Sequence, residues 1–470
     1  MARINEMLEK AAEASAAFRR LDQDQTDHIV RAVYLAAFNE RVRLAKMARE
    51  ETAVGIWQHK VIKNVIATHL VYNDIRSKKT VGVIAEDQRN GIVEIVQPVG
   101  PILGLIPVTN PTATVFFKAL ISLKTRNPLI VSPHNAAKRC TAEAARVCYE
   151  AALEAGAPKN CIQWLEKSTP KSTALLMSHP RLALIIATGT SGLVREAYSS
   201  GTPVIGVGPG NVPVYVSATA DVAYAVQNII ESKTFDNGTV CASEQAVVVE
   251  RTVSDKVIRE FEKQRAYFLS SEEIDKVGKI AFDRKRGTMA AGVVGQPVDQ
   301  IAQSAGIEVP KDTTLLIAQL EGVGPEFPLS AEILAPILAF YIEDDFDESI
   351  RRCTEITDFG GRGHTAVIYS NEEESIKGFS RAIDAGRILV NTPSTFGALG
   401  GMFNSLSPSF TLSCGSGGNN TTTDNITVKH LLNINRLTRR RPNPRWMAFD
   451  KKRFLDESLK AEDIEKEQIG

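Results

Sequence analysis

The stretch Val99-Gly-Pro-Ile-Leu-Gly-Leu-Ile-Pro-Val-Thr-Asn-Pro-Thr-Ala-Thr-Val-Phe-Phe-Lys-Ala-Leu-Ile-Ser-Leu-Lys-Thr-Arg-Asn-Pro-Leu-Ile-Val-Ser132 decides the fold. Val99 to Pro107 is short and continuously apolar, which reads as a strand buried on both faces rather than one with a wet side. A helix follows from about Thr112 to Lys124, and Pro128 to Ser132 is a second strand of the same kind. Strand, helix and strand without polar alternation imply a parallel sheet covered on both faces, and thus an α/β protein. The texture continues downstream with a helix from about Ala136 to Ala155, a strand at Cys161 to Leu165, a helix around Thr173 and a strand at Leu182 to Thr188.

Upstream, residues 1–78 carry apolar residues at helical spacing with a break at Gly55, and Thr80 to Ala85 with Gly91 to Gln97 flank a polar turn as a β-hairpin. A second α/β region opens with Val212-Pro-Val-Tyr-Val216 and a helix from Ala220 to Ser232. It goes on through short strands at Ala246 to Glu250, Thr314 to Ala318, Ile337 to Ile342, His364 to Tyr369 and Ile388 to Asn391. Gly415 to Asp424 reads as a loop, Ile426 to Arg436 as a late strand, Arg436-Leu-Thr-Arg-Arg-Arg441 as a basic cluster, and the last twenty residues as an exposed charged tail. The expected division is 1–213, 214–405 and 406–470.

The 470 residues exceed what one hydrophobic core serves, so two or three domains of about 150 residues are expected. Lys plus Arg and Asp plus Glu balance at 55 each, so no net field draws the chain to nucleic acid or an anionic membrane. The six cysteines (140, 148, 161, 241, 353, 414) form no C-x-x-C and no zinc-like spacing, which argues against a metal site and a disulfide framework and suits a reducing cytoplasm. The first ten residues form a charged amphipathic helix with no apolar signal-like run, and no stretch of 18 apolar residues occurs, so a soluble, unexported protein is expected. That opening helix is either the first helix of the fold or a docking peptide.

In Phe235-Asp-Asn-Gly-Thr-Val-Cys-Ala-Ser-Glu-Gln245 the turn formers Asn237-Gly238 hand Cys241 to the start of a helix or a tight loop. Alone, such a thiol is a possible nucleophile or an inert buried residue. Asn110 before Pro111 reads alone as a turn residue, and Thr188-Gly-Thr-Ser-Gly192, between an apolar strand and a helical run, as a phosphate-facing helix start or a plain tight turn.

The runs Pro107-Val-Thr-Asn-Pro111, Ile186-Ala-Thr-Gly-Thr-Ser-Gly192, Tyr198-Ser-Ser-Gly-Thr-Pro203, Gly206-Val-Gly-Pro-Gly-Asn211, Phe235 to Gln245, Gly363-His-Thr365 and Lys429-His-Leu-Leu-Asn-Ile434 together resemble the aldehyde dehydrogenase superfamily. Within it the chain is similar to the CoA-acylating branch that includes the aldehyde dehydrogenase half of bifunctional aldehyde/alcohol dehydrogenases. The resemblance covers nearly the whole chain. It implies two Rossmann-like α/β domains plus a β-hairpin oligomerisation element that pairs with the late strand to extend a sheet between subunits, hence a homodimer or homotetramer. The chain stops where the bifunctional proteins continue into an iron alcohol dehydrogenase domain, so that activity is expected to be absent.

The resemblance makes Cys241 the nucleophile and Asn110, with the backbone N–H of Cys241, the oxyanion donor pair. It places a nicotinamide cofactor, NAD or NADP, at Gly189 and Gly192, with Pro133-His134 at the adenosine ribose and Glu332 at the nicotinamide ribose. The choice between NAD and NADP stays open and turns on whether Lys138 and Arg139 reach a 2′-phosphate. Hydrolytic relatives carry a glutamate about 35 residues before the cysteine, and here Gly206 falls on it. A glycine takes no proton, so coenzyme A is the expected acyl acceptor. His364 is either the base for its thiol or a hydrogen-bonding residue that orders a strand start, and Glu244 is a rival base or a loop anchor. Thr239, Val240 and Pro393 to Phe403 shape the pocket, which suits a small, acetaldehyde-like substrate and leaves a carboxylated or sulfonated one open. The competing readings are an acyl-phosphate reductase such as glutamyl phosphate reductase, a hydrolytic aldehyde dehydrogenase, and a non-catalytic scaffold on the same fold.

Overall fold

The computed structural model describes residues 2–166, 168–440 and 452–469. Helices Ala2–Phe18, Gln23–Asn39, Arg41–Thr52 and Trp57–Val65 fill the first part of the chain, and Ala53 in the left-handed region breaks them beside Gly55. Strands β1 (Gly82–Asp87) and β2 (Ile92–Pro98) form the expected antiparallel hairpin.

The opening stretch folds as its apolar runs require. Strands β3 (Ile102–Leu105), β4 (Leu129–Ser132), β5 (Ile162–Trp164), β6 (Leu184–Ala187) and β7 (Val204–Gly206) make a parallel sheet in the order β5-β4-β3-β6-β7. Beginning at β3, the chain runs outward first through β4 and β5 and then, on the other side, through β6 and β7. The switch point lies at the C-terminal ends of β3 and β6, where α/β sheets open a crevice. Lys118, fully buried on the helix Pro111–Lys124, ties those two ends together by donating to Leu105 O at 2.6 Å and Ile186 O at 2.9 Å.

Residues 207–211 carry the chain into a second parallel sheet. Its strands are β8 (Val212–Val216), β9 (Glu244–Glu250), β10 (Ala266–Phe268), β13 (Leu315–Gln319), β14 (Ile337–Glu343), β15 (Gly363–Tyr369) and β16 (Ala385–Val390), in the order β10-β13-β14-β9-β8-β15-β16. A two-stranded ribbon, β11 (Phe282–Asp283) with β12 (Thr288–Met289), stands apart. The expected boundary at 213/214 therefore cuts β8, and the sheets change over slightly earlier.

The late strand needs one correction. β17 spans Leu432–Thr438, because Val428–Leu431 is a 3-10 turn closed by a Thr427/His430 capping box. It pairs antiparallel with β2 of the hairpin and forms one edge of the three-stranded sheet β1-β2-β17. Arg441 of the basic cluster and residues 442–451 of the tail lie outside the described residues. Among the described residues no helix is long and apolar enough to cross a membrane, and no group of three or more His, Cys, Asp or Glu could hold a metal ion.

Candidate active site

The two sheets meet edge to edge. Thr109-Asn110 follows β3, Gly189 follows β6 and Gly206 ends β7, all on the C-terminal edge of the first sheet. Gly210 precedes β8, Cys241 precedes β9, Glu332 precedes β14 and His364 opens β15, all on the N-terminal edge of the second.

Cys241 sits in a tight loop, not a helix. The helix Val222–Thr234 stops at Phe235, and Asp236 (φ 52°), Asn237 (φ 54°) and Gly238 (φ 72°) all adopt the left-handed conformation. A side chain at 238 would lie 2.8 Å from Ala335 O, so glycine is required there by space as well as by φ. Ser243 N–H then donates to Val240 O at 2.9 Å and closes the turn around the cysteine. Burial pushes the Cys241 thiol up to about 12, with the Glu332 carboxyl and the Cys414 thiol adding to the shift and Arg387 opposing it. All six cysteines are free.

Gly210 is where three groups converge. Its N–H donates to Glu332 Oε1 at 3.1 Å, while a Cβ on it would lie 2.0 Å from Cys241 O and 3.3 Å from His364 Cδ2. Glu332 lies in the loop before β14, and burial pushes its carboxyl up to about 7. His364 is fully buried; its Nδ1 bonds Thr365 Oγ1 at 2.9 Å and its Nε2 has no partner. Burial, with Arg387 adding, holds the imidazole well below its ordinary value, so it is neutral at pH 7.

Asn110 is the N-cap of the helix Pro111–Lys124 but makes no capping hydrogen bond with its side chain. Its Oδ1 accepts from Lys63 Nζ at 2.6 Å, and its Nδ2 donates to Thr109 Oγ1 at 3.1 Å. The same ammonium donates to Asp236 Oδ2 at 2.5 Å and Thr239 Oγ1 at 2.8 Å, which joins Asn110 to the cysteine loop. Burial works to raise the Asp236 carboxyl, but Lys63 and Lys60 hold it down at about 2. One carboxylate serves two ammoniums, and burial brings Lys63 down to about 8.

The residues expected to bind a cofactor lie along the C-terminal edge of the first sheet, after β4 and β6. Pro133 and His134 follow β4; His134 is exposed and accepts from Ala136 N–H through Nδ1. Gly189 and Gly192 are exposed after β6, and a Cβ on Gly192 would meet nothing within 4 Å. An exposed, glycine-bordered strand end leading into the helix Ser191–Tyr198 suits a dinucleotide laid across the edge. Lys138 and Arg139 begin the helix Lys138–Glu154, whose first N–H groups at 139 and 140 already donate to Glu51.

The aldehyde dehydrogenase family model matches residues 1–406. The chain belongs to that family. It is 42% identical to the bifunctional aldehyde-alcohol dehydrogenase of Escherichia coli K12 over 96% of its own length, and spans about half (51%) of that relative. It is 35% identical to a succinate-semialdehyde dehydrogenase (acetylating) of Clostridium kluyveri, over 92% of this chain and 95% of that protein. In three dimensions it resembles an acetylating aldehyde dehydrogenase of Geobacillus thermoglucosidasius, with a TM-score of 0.91 and 47% identity over 94% of this chain and 98% of that one.

The surroundings of Gly206 are closely filled. A Cβ here would fall 2.8 Å from Tyr198 Cε2, 3.0 Å from the Tyr198 hydroxyl and 3.0 Å from Val194 Cγ1. The Tyr198 hydroxyl also accepts from Gly206 N–H at 3.1 Å and from Asn420 Nδ2 at 3.3 Å. The space a side chain at 206 would use is occupied by an aromatic ring. Glu244 is an anchor: its Oε1 accepts Ser394 N–H at 2.8 Å and its Oε2 accepts Ser232 Oγ–H at 2.5 Å. Sequence reasoning missed Lys60, Lys63, Asp236, Tyr198 and Arg387. Of these, Asp236 and Tyr198 lie inside motif runs quoted above, and Lys60, Lys63 and Arg387 lie outside them.

Proposed function

We propose that the chain is a CoA-acylating aldehyde dehydrogenase, which converts a small aldehyde, coenzyme A and NAD or NADP reversibly into acyl-CoA and NADH or NADPH through a thioester on Cys241. The Cys241 sulfur adds to the aldehyde carbon, and the oxygen that gains charge lies against Asn110 Nδ2 and the Cys241 N–H; each such donor is worth about 3 to 4 kcal/mol in the transition state. The thiol is protonated in the resting protein at neutral pH and only half-buried, so its proton passes to water as the carbon–sulfur bond forms. Gly189, Gly192, Pro133 and His134 hold the dinucleotide at the first sheet, and Glu332, fixed by Gly210 N–H, holds its nicotinamide ribose. When bound, that cofactor supplies the hydride acceptor.

The closed space at Gly206 carries the choice of acceptor. With Tyr198 over it, no side chain at this position can activate water, so the thioester waits for a thiol. His364, neutral and with Nε2 unpartnered beside Gly210, accepts the thiol proton of coenzyme A. Phe235, Phe396 and Phe403 form an aromatic row with ring centroids 4.8 and 6.3 Å apart, which favours a small apolar aldehyde. One edge of β17 pairs with β2 and exposes Ile434 and Leu437 beside it, a surface that suits pairing in a homodimer or homotetramer. The deciding experiment is product analysis with an aldehyde and cofactor, with and without coenzyme A. Acyl-CoA is expected; free acid formed without coenzyme A at the same rate overturns the reading, and turnover of an acyl phosphate instead assigns the reductase alternative.

A further inference from the structure

The helix Trp57–Val65 buries two lysines three residues apart, Lys60 and Lys63, against one carboxylate, Asp236. The fold needs only one of them. Asp236 would still accept from Lys60 Nζ at 2.9 Å, from Ile56 N–H at 2.6 Å and from Thr239 Oγ–H at 2.8 Å if Lys63 were apolar. Burying a second ammonium costs several kcal/mol unless its donors are met. The three N–H groups of Lys63 are all used, on Asp236, Thr239 and Asn110 Oδ1.

The contact with Asn110 has a chemical consequence. An ammonium against Oδ1 fixes which way the amide faces, because the flipped amide would set Nδ2 against a cation. One Nδ2–H then donates to Thr109 Oγ1, and the second is left for another acceptor. A charge-assisted bond to the amide oxygen also draws density away from the N–H groups and makes them stronger donors.

We propose that Lys63 is a positioning residue for the aldehyde step: its ammonium orients and polarises the Asn110 amide, so that the free Nδ2–H is preset to receive the oxyanion. The proposal rests on the reading of Asn110 as an oxyanion donor. The test is a cycle of Lys63→Met, Asn110→Ala and the double variant, with kcat/KM for aldehyde measured at saturating coenzyme A and cofactor. Alongside it, the alkylation rate of Cys241 by iodoacetamide is followed, a reaction that forms no oxyanion. Asn110→Ala is expected to lower kcat/KM by roughly 100- to 1000-fold. Lys63→Met is expected to lower it by roughly 10- to 100-fold, the double variant to be no worse than Asn110→Ala, and alkylation to stay unchanged.

If Lys63→Met costs the same factor with or without Asn110, or slows alkylation equally, Lys63 acts on the cysteine loop and the proposal falls. If Asn110→Ala is fully active, it is the oxyanion reading itself that fails. Should Lys63→Met not fold, Lys63→Gln, which keeps a neutral donor, carries the same cycle.

Discussion

The two flanks of Cys241 are built on opposite plans. Toward the first sheet the surroundings are saturated: Lys60, Lys63, Asp236, Thr239 and Asn110 bond one another inside the protein. Toward the second sheet Gly210 brings bare backbone close, and His364 keeps an unpartnered nitrogen in full burial. A group that must stabilise charge works best when it cannot move, which is what a closed network of hydrogen bonds provides. A group that must accept a proton works only if nothing else occupies its lone pair. The contrast suggests that the first flank serves formation of the thioester and the second its release.

Removing the atom both flanks share should have the largest effect. Cys241→Ala is expected to lower NADH formation by about 10⁴-fold or more, as loss of a covalent nucleophile does. A variant with near-normal turnover would falsify the whole mechanism. Next in size, His364→Ala should lower coenzyme A-dependent turnover by about 10²- to 10⁴-fold. If the flanks divide the work as argued, it leaves the single-turnover burst of NADH intact. Stopped-flow absorbance separates these, and a lost burst would place His364 in the first half-reaction instead.

Much of this was legible in the chain. The apolar runs of β3, β4 and β6 could only be buried strands, and Asn237-Gly238 announced a turn that φ of 54° and 72° bears out. Cys241, Asn110, His364 and Glu332 came from motif runs, and they fall on two facing sheet edges although up to 254 residues separate them. What stayed hidden was pairing at a distance. Lys60 and Lys63 look like solvated charges on an amphipathic helix, and only the fold sets them against Asp236, more than 170 residues on. Tyr198 sat in a quoted run, yet nothing local says that its ring closes over Gly206. The late strand was misplaced by six residues at its start because Thr427 and His430 form a capping box that apolar patterning does not reveal.

A smaller effect tests the closed space at Gly206. Gly206→Ala puts a methyl 2.8 Å from Tyr198 Cε2, and overpacking of that kind costs about 1 to 3 kcal/mol. A lower urea midpoint is expected, with no gain in free acid. Hydrolysis appearing with stability unchanged would show that the site has room for water chemistry after all.

The smallest effect is the pH signature of His364. Its folded value lies well below the ordinary 6.5 because burial and Arg387 disfavour the imidazolium. Between the two values the unfolded chain binds a proton that the native protein does not, so stability rises with pH through this window and is lost as pH falls below about 6.5. The slope for one such group is about 1.4 kcal/mol per pH unit. Glu244 and Glu332, both raised to about 7, act in the opposite sense, since the native protein holds their protons where the unfolded chain has released them. Raw stability against pH therefore mixes opposing contributions. The difference between wild type and His364→Gln removes the shared terms, and wild type should lose urea resistance relative to the variant from pH 6.5 to 5. Parallel curves would mean that the imidazole titrates alike in the native and the unfolded chain, so that burial beside Arg387 does not hold it neutral.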